Sequence, residues 1–139
     1  MANLKIEIVA AEGHIHSGEA TMVFAPASMG EVGIAPRHAP LLTTLKPGTV
    51  RVQTADGKEL PFFVGGGILE VQPHMVSILA DTALRGDDAD ESAASRAKQE
   101  AEARLAGAKD QMDLAQAQAE LVEAAARLEF VKNLKKPGR

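Results

Sequence analysis

Near Arg85-Gly86 the chain changes its hydrophobic period, so two different kinds of structure must meet there. From Leu4 to about Leu84 the pattern has period two or short apolar runs, punctuated by Gly, Pro and Asp. Leu4, Ile6 and Ile8 alternate with Lys5 and Glu7, as the pleat of a half-buried strand requires. Turn signals recur at Glu12-Gly13, Ser17-Gly18, Pro47-Gly48, Asp56-Gly57, Gly65 to Gly67 and Gln72-Pro73, and short strands should run between them. The sharpest is TVRVQTADGKELPFFV, where Asp-Gly between apolar arms tolerates the positive φ of a tight hairpin. No amphipathic helix interrupts these strands, so the pattern predicts antiparallel pairing and a β-sandwich to bury their apolar faces.

Beyond DDADE the chain runs SAASRAKQEAEARLAGAKDQMDLAQAQAELVEAAARLEFVKNL, without proline and rich in the strongest helix formers. Asp87, Asp88, Asp90 and Glu91 crowd its start and Lys132, Lys135 and Lys136 its finish, matching the two ends of a helix dipole. Ala106 to Asp110 is the weak spot, so two helices are predicted, about 88 to 105 and 112 to 135. The second carries a stripe at Leu114, Ala117, Leu121, Ala124, Leu128 and Val131. The first offers mostly Ala94, Ala97, Ala101 and Leu105, and an alanine face buries little, at about 0.8 kcal/mol per CH₂. The expected architecture is α+β: a sandwich domain over 1–86, then an antiparallel two-helix hairpin over 87–139 that behaves as a detachable arm.

Composition removes several functions. Trp and Tyr are absent and the net charge is −4 without a basic stripe, which argues against nucleic-acid binding through stacking or counterion release. Zero Cys removes disulfides, thiolate nucleophiles and Cys-based zinc sites. MANLKIEIVAAEG lacks the apolar core of a signal peptide, and no run approaches the roughly 18 to 20 residues of a membrane span. A soluble cytoplasmic protein is expected, with membrane association only through a partner.

The candidates for chemistry are thin. His14 and His16 place two imidazoles on one face of an extended segment, but a metal site needs three or four fixed ligands and spacing ties no third to them. Gly65-Gly66-Gly67 lacks the Lys-Ser/Thr and the helix of a phosphate cradle, so a bulge or tight bend is expected. None of Ser17, Ser28, Ser77, Ser92 and Ser95 has a nucleophile setting, and Asp87-Asp88 suits capping better than acid/base work. The segment GEVGIAPRHAPLL, Gly30 to Leu42, fits neither a helical nor a strand period. Pro36 and Pro40 stiffen it without a ladder. It reads as an exposed loop presenting Glu31, Arg37 and His38, either a docking surface or a plain crossover, and spacing does not choose between them.

Together, GEVGIAPRHAPLLTTLKPG, VGGGILEVQP and ILADTALRG, followed by an alanine-rich helical hairpin, resemble the epsilon subunits of bacterial F-type ATP synthases over essentially the whole chain. The resemblance implies a non-catalytic rotor subunit without a cofactor, at the foot of the central stalk on the cytoplasmic face of the bacterial inner membrane. There its sandwich would bind the gamma subunit and the proton-driven ring of membrane c-subunits, coupling rotation to ATP synthesis. It implies that the loop matched by Glu31 to His38 meets polar loops of the ring, with Glu31 and His38 as contacts. No short motif transfers the gamma-facing residues.

In that family the helical arm lies compact in one state and extends along the stalk in another, where it blocks ATP hydrolysis. Arg127, Lys132, Lys135 and Lys136 match its basic second helix, which in the inhibitory state lies among the α and β subunits and meets an acidic segment of catalytic β. Favourable charge at a helix end explains the three lysines nearly as well. Some relatives bind ATP through an Ile/Leu-Asp-x-x-Arg-Ala motif. Here the stretch is Ala89-Asp90-Glu91-Ser92-Ala93-Ala94, which keeps Asp90 and Ala94 but loses the aliphatic residue and the arginine, a bidentate phosphate donor. Weak or no ATP binding is expected, with Arg96 as a partial substitute. The rival readings are a stand-alone nucleotide-sensing module, which needs that arginine, and a metal-dependent enzyme using His14, His16 and His38.

Overall fold

The computed structural model describes residues 3–134. Eight strands come first: β1 (Leu4–Ala10), β2 (Gly13–Ala20), β3 (Met22–Ala27), β4 (Gly30–Ile34), β5 (Leu41–Gln53), β6 (Glu59–Gln72), β7 (Met75–Ala80) and β8 (Ala83–Arg85). A 3₁₀ turn at Gly86–Asp88 precedes helices α1 (Glu91–Ala106) and α2 (Gln111–Leu134). The chain divides into two compact units between Asp87 and Asp88. The expected sandwich and helical hairpin are both present.

The strands follow the order β2-β1-β7-β6-β5-β3-β4, with β8 beside β6. β5 and β6 run 13 and 14 residues, well beyond the usual five or six or so, because each passes through both layers. Leu41–Leu45 pairs with Gly67–Val71 on the side of β7, whereas Pro47–Gln53 pairs with Glu59–Gly65 on the side of β3 and β8. Both strands bend where Lys46 and Gly66 drop out of the pairing. The same corner is tied to the segment between β7 and β8: Gly65 donates to the Thr82 carbonyl at 2.8 Å and Asp81 donates to that of Gly66 at 3.0 Å. Gly66 (φ 101°) and Gly67 (φ 137°) adopt backbone angles that side chains disfavour, so the triple glycine is the expected tight bend.

The core lies between the layers. Leu4, Ile6 and Ile8 of β1, Val50 and Val52 of β5, Leu69 and Val71 of β6, and Val76 and Ile78 of β7 are essentially inaccessible. Each such side chain contributes roughly 1.5–3 kcal/mol. The alternation predicted for Leu4, Ile6 and Ile8 therefore holds. So does the turn at Asp56-Gly57, where Thr54 N–H donates to Lys58 O at 2.9 Å and Gly57 has φ 84°; the turn expected at Gln72-Pro73 falls one residue later, at Pro73-His74.

Other expectations need correction. Ser17-Gly18, Pro47-Gly48 and Gly65 to Gly67 lie inside strands; in β5 and β6 the glycines flank the bend between layers. β1 pairs with β7 in parallel, Lys5 with Met75 through Ala10 with Ala80. Strands distant in sequence are free to meet in either direction, and the antiparallel argument applied only to neighbours. A register shift at Ile15 pairs His16 with Ile8 and His14 with Val9, so the two imidazoles do not share one face by simple alternation. His16 packs against the Phe62 ring, 4.9 Å between centroids. Burial, then the nearby His14 and Arg85, push its imidazole below the ordinary value.

In the helical unit α1 begins at Glu91, three residues later than expected. The Asp90 carboxylate accepts from Ser92 and Ala93 N–H at 3.0 and 3.4 Å, and a residue capping in extended conformation (φ −134°, ψ 111°) cannot also be helical. Asp110 caps α2 in the same way, accepting from Asp113 N–H at 2.8 Å. Ala94 and Ala101 are buried on α1, and Ala117, Ala124, Leu128, Phe130 and Val131 on α2. The predicted stripe fails at Leu114, which is 41% exposed, and Leu121 is only half-buried; an alanine-rich partner helix offers little to cover a leucine. Phe130, about 200° around the helix from Leu128, shows that burial near the end of α2 is not confined to one stripe.

Candidate partner-binding surfaces

Gly30–Ile34, read from sequence as unladdered loop, is edge strand β4, paired with β3 from Ala27-Gly30 to Val23-Ile34. Glu31 therefore stands on a strand. It sits opposite Pro26, and β3 in turn sets Phe24 opposite both Gly33 of β4 and Arg51 of β5. That register explains a polar ladder on the outer face. The Arg51 guanidinium lies 4.2 Å above the Phe24 ring. Its Nη2 donates to both Glu31 oxygens at 3.3 and 3.4 Å, and its Nη1 to Glu59 Oε2 at 3.4 Å. Gln53 Nε2 adds a donor to Glu59 at 3.4 Å. A Cβ on Gly33 would come within 3.1 Å of Phe24 and Met22, so the glycine leaves space for the ring under the arginine.

His38 belongs to a different place, the loop of residues 35–40 after β4. Glu31 lies about 10 Å before the end of β4, at ~3.3 Å per residue, and His38 lies four residues past that end. The structure thus sets the two expected ring contacts at opposite ends of one strand. The loop is held by Arg37 N–H donating to Pro73 O at 2.7 Å and His38 N–H to Ala35 O at 3.2 Å. His38 Nδ1 donates to Ala39 O at 2.7 Å. A carbonyl only accepts, so Nδ1 is the donor in this contact.

Arg37 has φ 69°, a left-handed angle that costs a side chain about 1–2 kcal/mol. Arg37→Gly removes that strain at the expense of a more flexible unfolded chain and is expected to change stability by less than about 1 kcal/mol. Arg37→Val, β-branched at the same angle, is expected to cost about 2 kcal/mol. Denaturant unfolding of the two variants checks the difference.

Asp90 is occupied as the α1 cap, and beside it Glu91, Ser92, Ser95, Arg96 and Gln99 line an open concavity of about 670 Å³. Arg127 lies in the groove between α1 and α2, with Ala97, Ala101, Arg104, Glu120 and Ala124. Its Nε is buried with no hydrogen-bond partner among the described residues. Lys132 is exposed in the last turn of α2. Five residues of helix separate it from Arg127 by about 140°, so the two cations do not share a face. Lys135 and Lys136 lie outside the described residues. Across the hairpin, Arg104 Nη1 meets Glu120 Oε2 at 2.8 Å.

Sequence reasoning missed Arg51, Phe24 and Glu59. The alternation in Thr49-Val50-Arg51-Val52 already turns Arg51 outward, but only the strand register reveals what it meets. Among the described residues no group of three or more His, Asp or Glu is placed to hold a metal ion. Among the described residues no helix is long and apolar enough to cross a membrane.

Fold and surfaces define a small two-part protein: a bent β-sandwich bearing an outer polar ladder and a prolyl loop, followed by an antiparallel helical hairpin. The chain belongs to the ATP synthase delta/epsilon family, whose β-sandwich domain matches residues 3–86 and whose long α-helix domain matches residues 87–132. It is 55% identical to the ATP synthase epsilon chain of Alkalilimnicola ehrlichii, over 98% of this chain and 97% of that one. It is likewise 55% identical to that of Nitrosococcus oceani, over 96% and 95%. The fold recurs in a chain of the Euglena gracilis mitochondrial ATP synthase F1/c-ring structure (TM-score 0.77, 20% identity, 91% of this chain and 79% of that one). It recurs also in the Tetrahymena thermophila central stalk/c-ring structure (TM-score 0.62, 15% identity, 94% and 95%). The family supplies a structural and regulatory subunit rather than a catalytic one.

Proposed function

We propose that this chain is a rotor subunit at the foot of the central stalk of a bacterial F-type ATP synthase, peripheral on the cytoplasmic face of the membrane. Residues 1–86 seat on the gamma subunit and on the ring of c-subunits, and residues 87–139 form an arm that opposes ATP hydrolysis. Glu31 and His38 meet the ring, and Arg127, Lys132, Lys135 and Lys136 meet catalytic β when the arm is extended.

The observation that carries the seating role is a sandwich whose core is complete yet whose outer faces are unevenly finished. Leu42, Ile68 and Leu79 are 71%, 45% and 55% exposed on the outer face of β5, β6 and β7, where Ile68 pairs directly with Leu79. Contiguous exposed aliphatics suit a partner's apolar surface, and we assign this patch to gamma. The polar Glu31 ladder and the His38 loop suit the polar loops of the ring.

Charge reversal tests the ring contact. Glu31→Lys is expected to weaken attachment to membranes depleted of this subunit about tenfold, and Lys58→Glu, at an exposed hairpin tip, less than about twofold. Equal effects of the two reversals would remove Glu31 from the contact.

A further inference from the structure

We propose that Arg51 is the positioning residue for Glu31 in docking on the ring, an inference that rests on the assignment of Glu31 to that contact. Glu31 is a half-exposed glutamate on an edge strand. A free side chain of this kind samples several rotamers and must surrender that freedom when it docks. Here Arg51 Nη2 reaches both carboxylate oxygens, at 3.3 and 3.4 Å, which holds the carboxylate beside the guanidinium and reduces the rotamers it samples.

Arg51 is itself held from two further sides. The Phe24 ring lies 4.2 Å beneath its guanidinium and Glu59 accepts from its other terminal nitrogen at 3.4 Å. Lysine has neither the planar fork nor the stacking face for this arrangement. The ladder holds two carboxylates against one guanidinium, so it stays net negative. Glu31 keeps outward lone pairs for a donor on the partner. Exposed ion pairs stabilise a fold little, so the expected consequence of this one is orientation before docking.

The test uses the full chain and ATP synthase membranes depleted of this subunit, with attachment measured by titration. Arg51→Met is expected to weaken attachment about fivefold, whereas adding it to Glu31→Gln costs nothing beyond Glu31→Gln alone, the non-additivity of contacting residues. Arg51→Lys keeps the charge but recovers less than half of the loss. Phe24→Leu leaves every charge in place and weakens attachment by a smaller factor, which serves as the second variant if Arg51→Met folds poorly. Additive effects, full rescue by lysine, or unchanged attachment in Phe24→Leu would each overturn the proposal. If Glu31→Gln alone leaves attachment unchanged, the ring assignment fails and this inference falls with it. If Glu31→Gln weakens attachment while Arg51 acts additively, only the positioning role is lost.

Discussion

Removal of residues 88–139 is expected to leave the sandwich folded and incorporated in the enzyme, and to raise ATP hydrolysis severalfold. The core cluster of the sandwich draws its buried members from Leu4 to Ala80, with Ile15, Val32, Leu41, Leu60 and Ala83 packed against it. Truncation at 88 removes none of these side chains. The surfaces assigned to the ring and to gamma also lie wholly before that point: Glu31, Arg51, the His38 loop and the patch of Leu42, Ile68 and Leu79. What is lost is a hairpin that buries Ala94 and Ala101 on α1 and Ala117, Ala124, Leu128, Phe130 and Val131 on α2, with one partly exposed ion pair, Arg104 with Glu120. Such a pair contributes about 1 kcal/mol or less, and the alanines bury little area, so apart from Leu128, Phe130 and Val131 near the end of α2 little holds the hairpin closed.

Opening matters for the proposed brake, because Arg127 faces the groove between the helices. Arg127 is half-buried there with its Nε unpartnered, so separating α1 and α2 would free it further for a carboxylate on another subunit. The measurement is steady-state hydrolysis by purified enzyme carrying the truncated subunit, with its presence confirmed by gel. Unchanged hydrolysis with the truncated subunit in place would mean that this hairpin is not the brake.

How far the sequence could be read depended on whether the deciding contact was local. The alternation of Leu4, Ile6 and Ile8 and the Asp56-Gly57 hairpin are local, and both were legible. β4 was hidden because Gly30 and Gly33 take two of its five positions, one on each face, and a glycine signals no face. Pro47-Gly48 and Gly65 to Gly67 read as strand ends because punctuation that ends a flat strand is also what bends a long one. The parallel β1/β7 pair joins strands more than sixty residues apart, beyond any local pattern.

The site followed the same division. Glu31, His38 and the basic end of α2 are proposed from family resemblance, since isolated charges carry no spacing signal. Arg51 escaped because its meaning depends on being cross-strand from Phe24 and diagonal to Glu31, and strand register is invisible without the fold. The helix start illustrates the reverse case: four acidic residues announced a cap, but only geometry shows that Asp90 is the one that caps.

Gly67→Ala is expected to be the most damaging single methyl group in the sandwich. Gly67 pairs with Leu45 on one side and Ala80 on the other, at the bend where β6 passes between layers. A Cβ there would lie 2.2 Å from the Leu79 carbonyl oxygen and 2.8 Å from Ala80 Cα. Both obstacles are backbone of a central strand, so relief requires β6 and β7 to separate, unlike a clash with the flexible tip of a side chain. The φ of 137° adds strain of its own. Together these place the cost at about 3–5 kcal/mol, in the range of the most disruptive point substitutions, against a total of about 5–15 kcal/mol for a typical domain. The midpoint of thermal unfolding should fall by more than about 10 °C. Gly57→Ala supplies the control: it also has positive φ, at 84°, but nothing lies within 4 Å of its added Cβ, so it bears the backbone strain alone, about 1 kcal/mol. Thermal unfolding of the two variants side by side separates steric from conformational cost, and equal midpoints would show that β6 and β7 are not locked together at this bend.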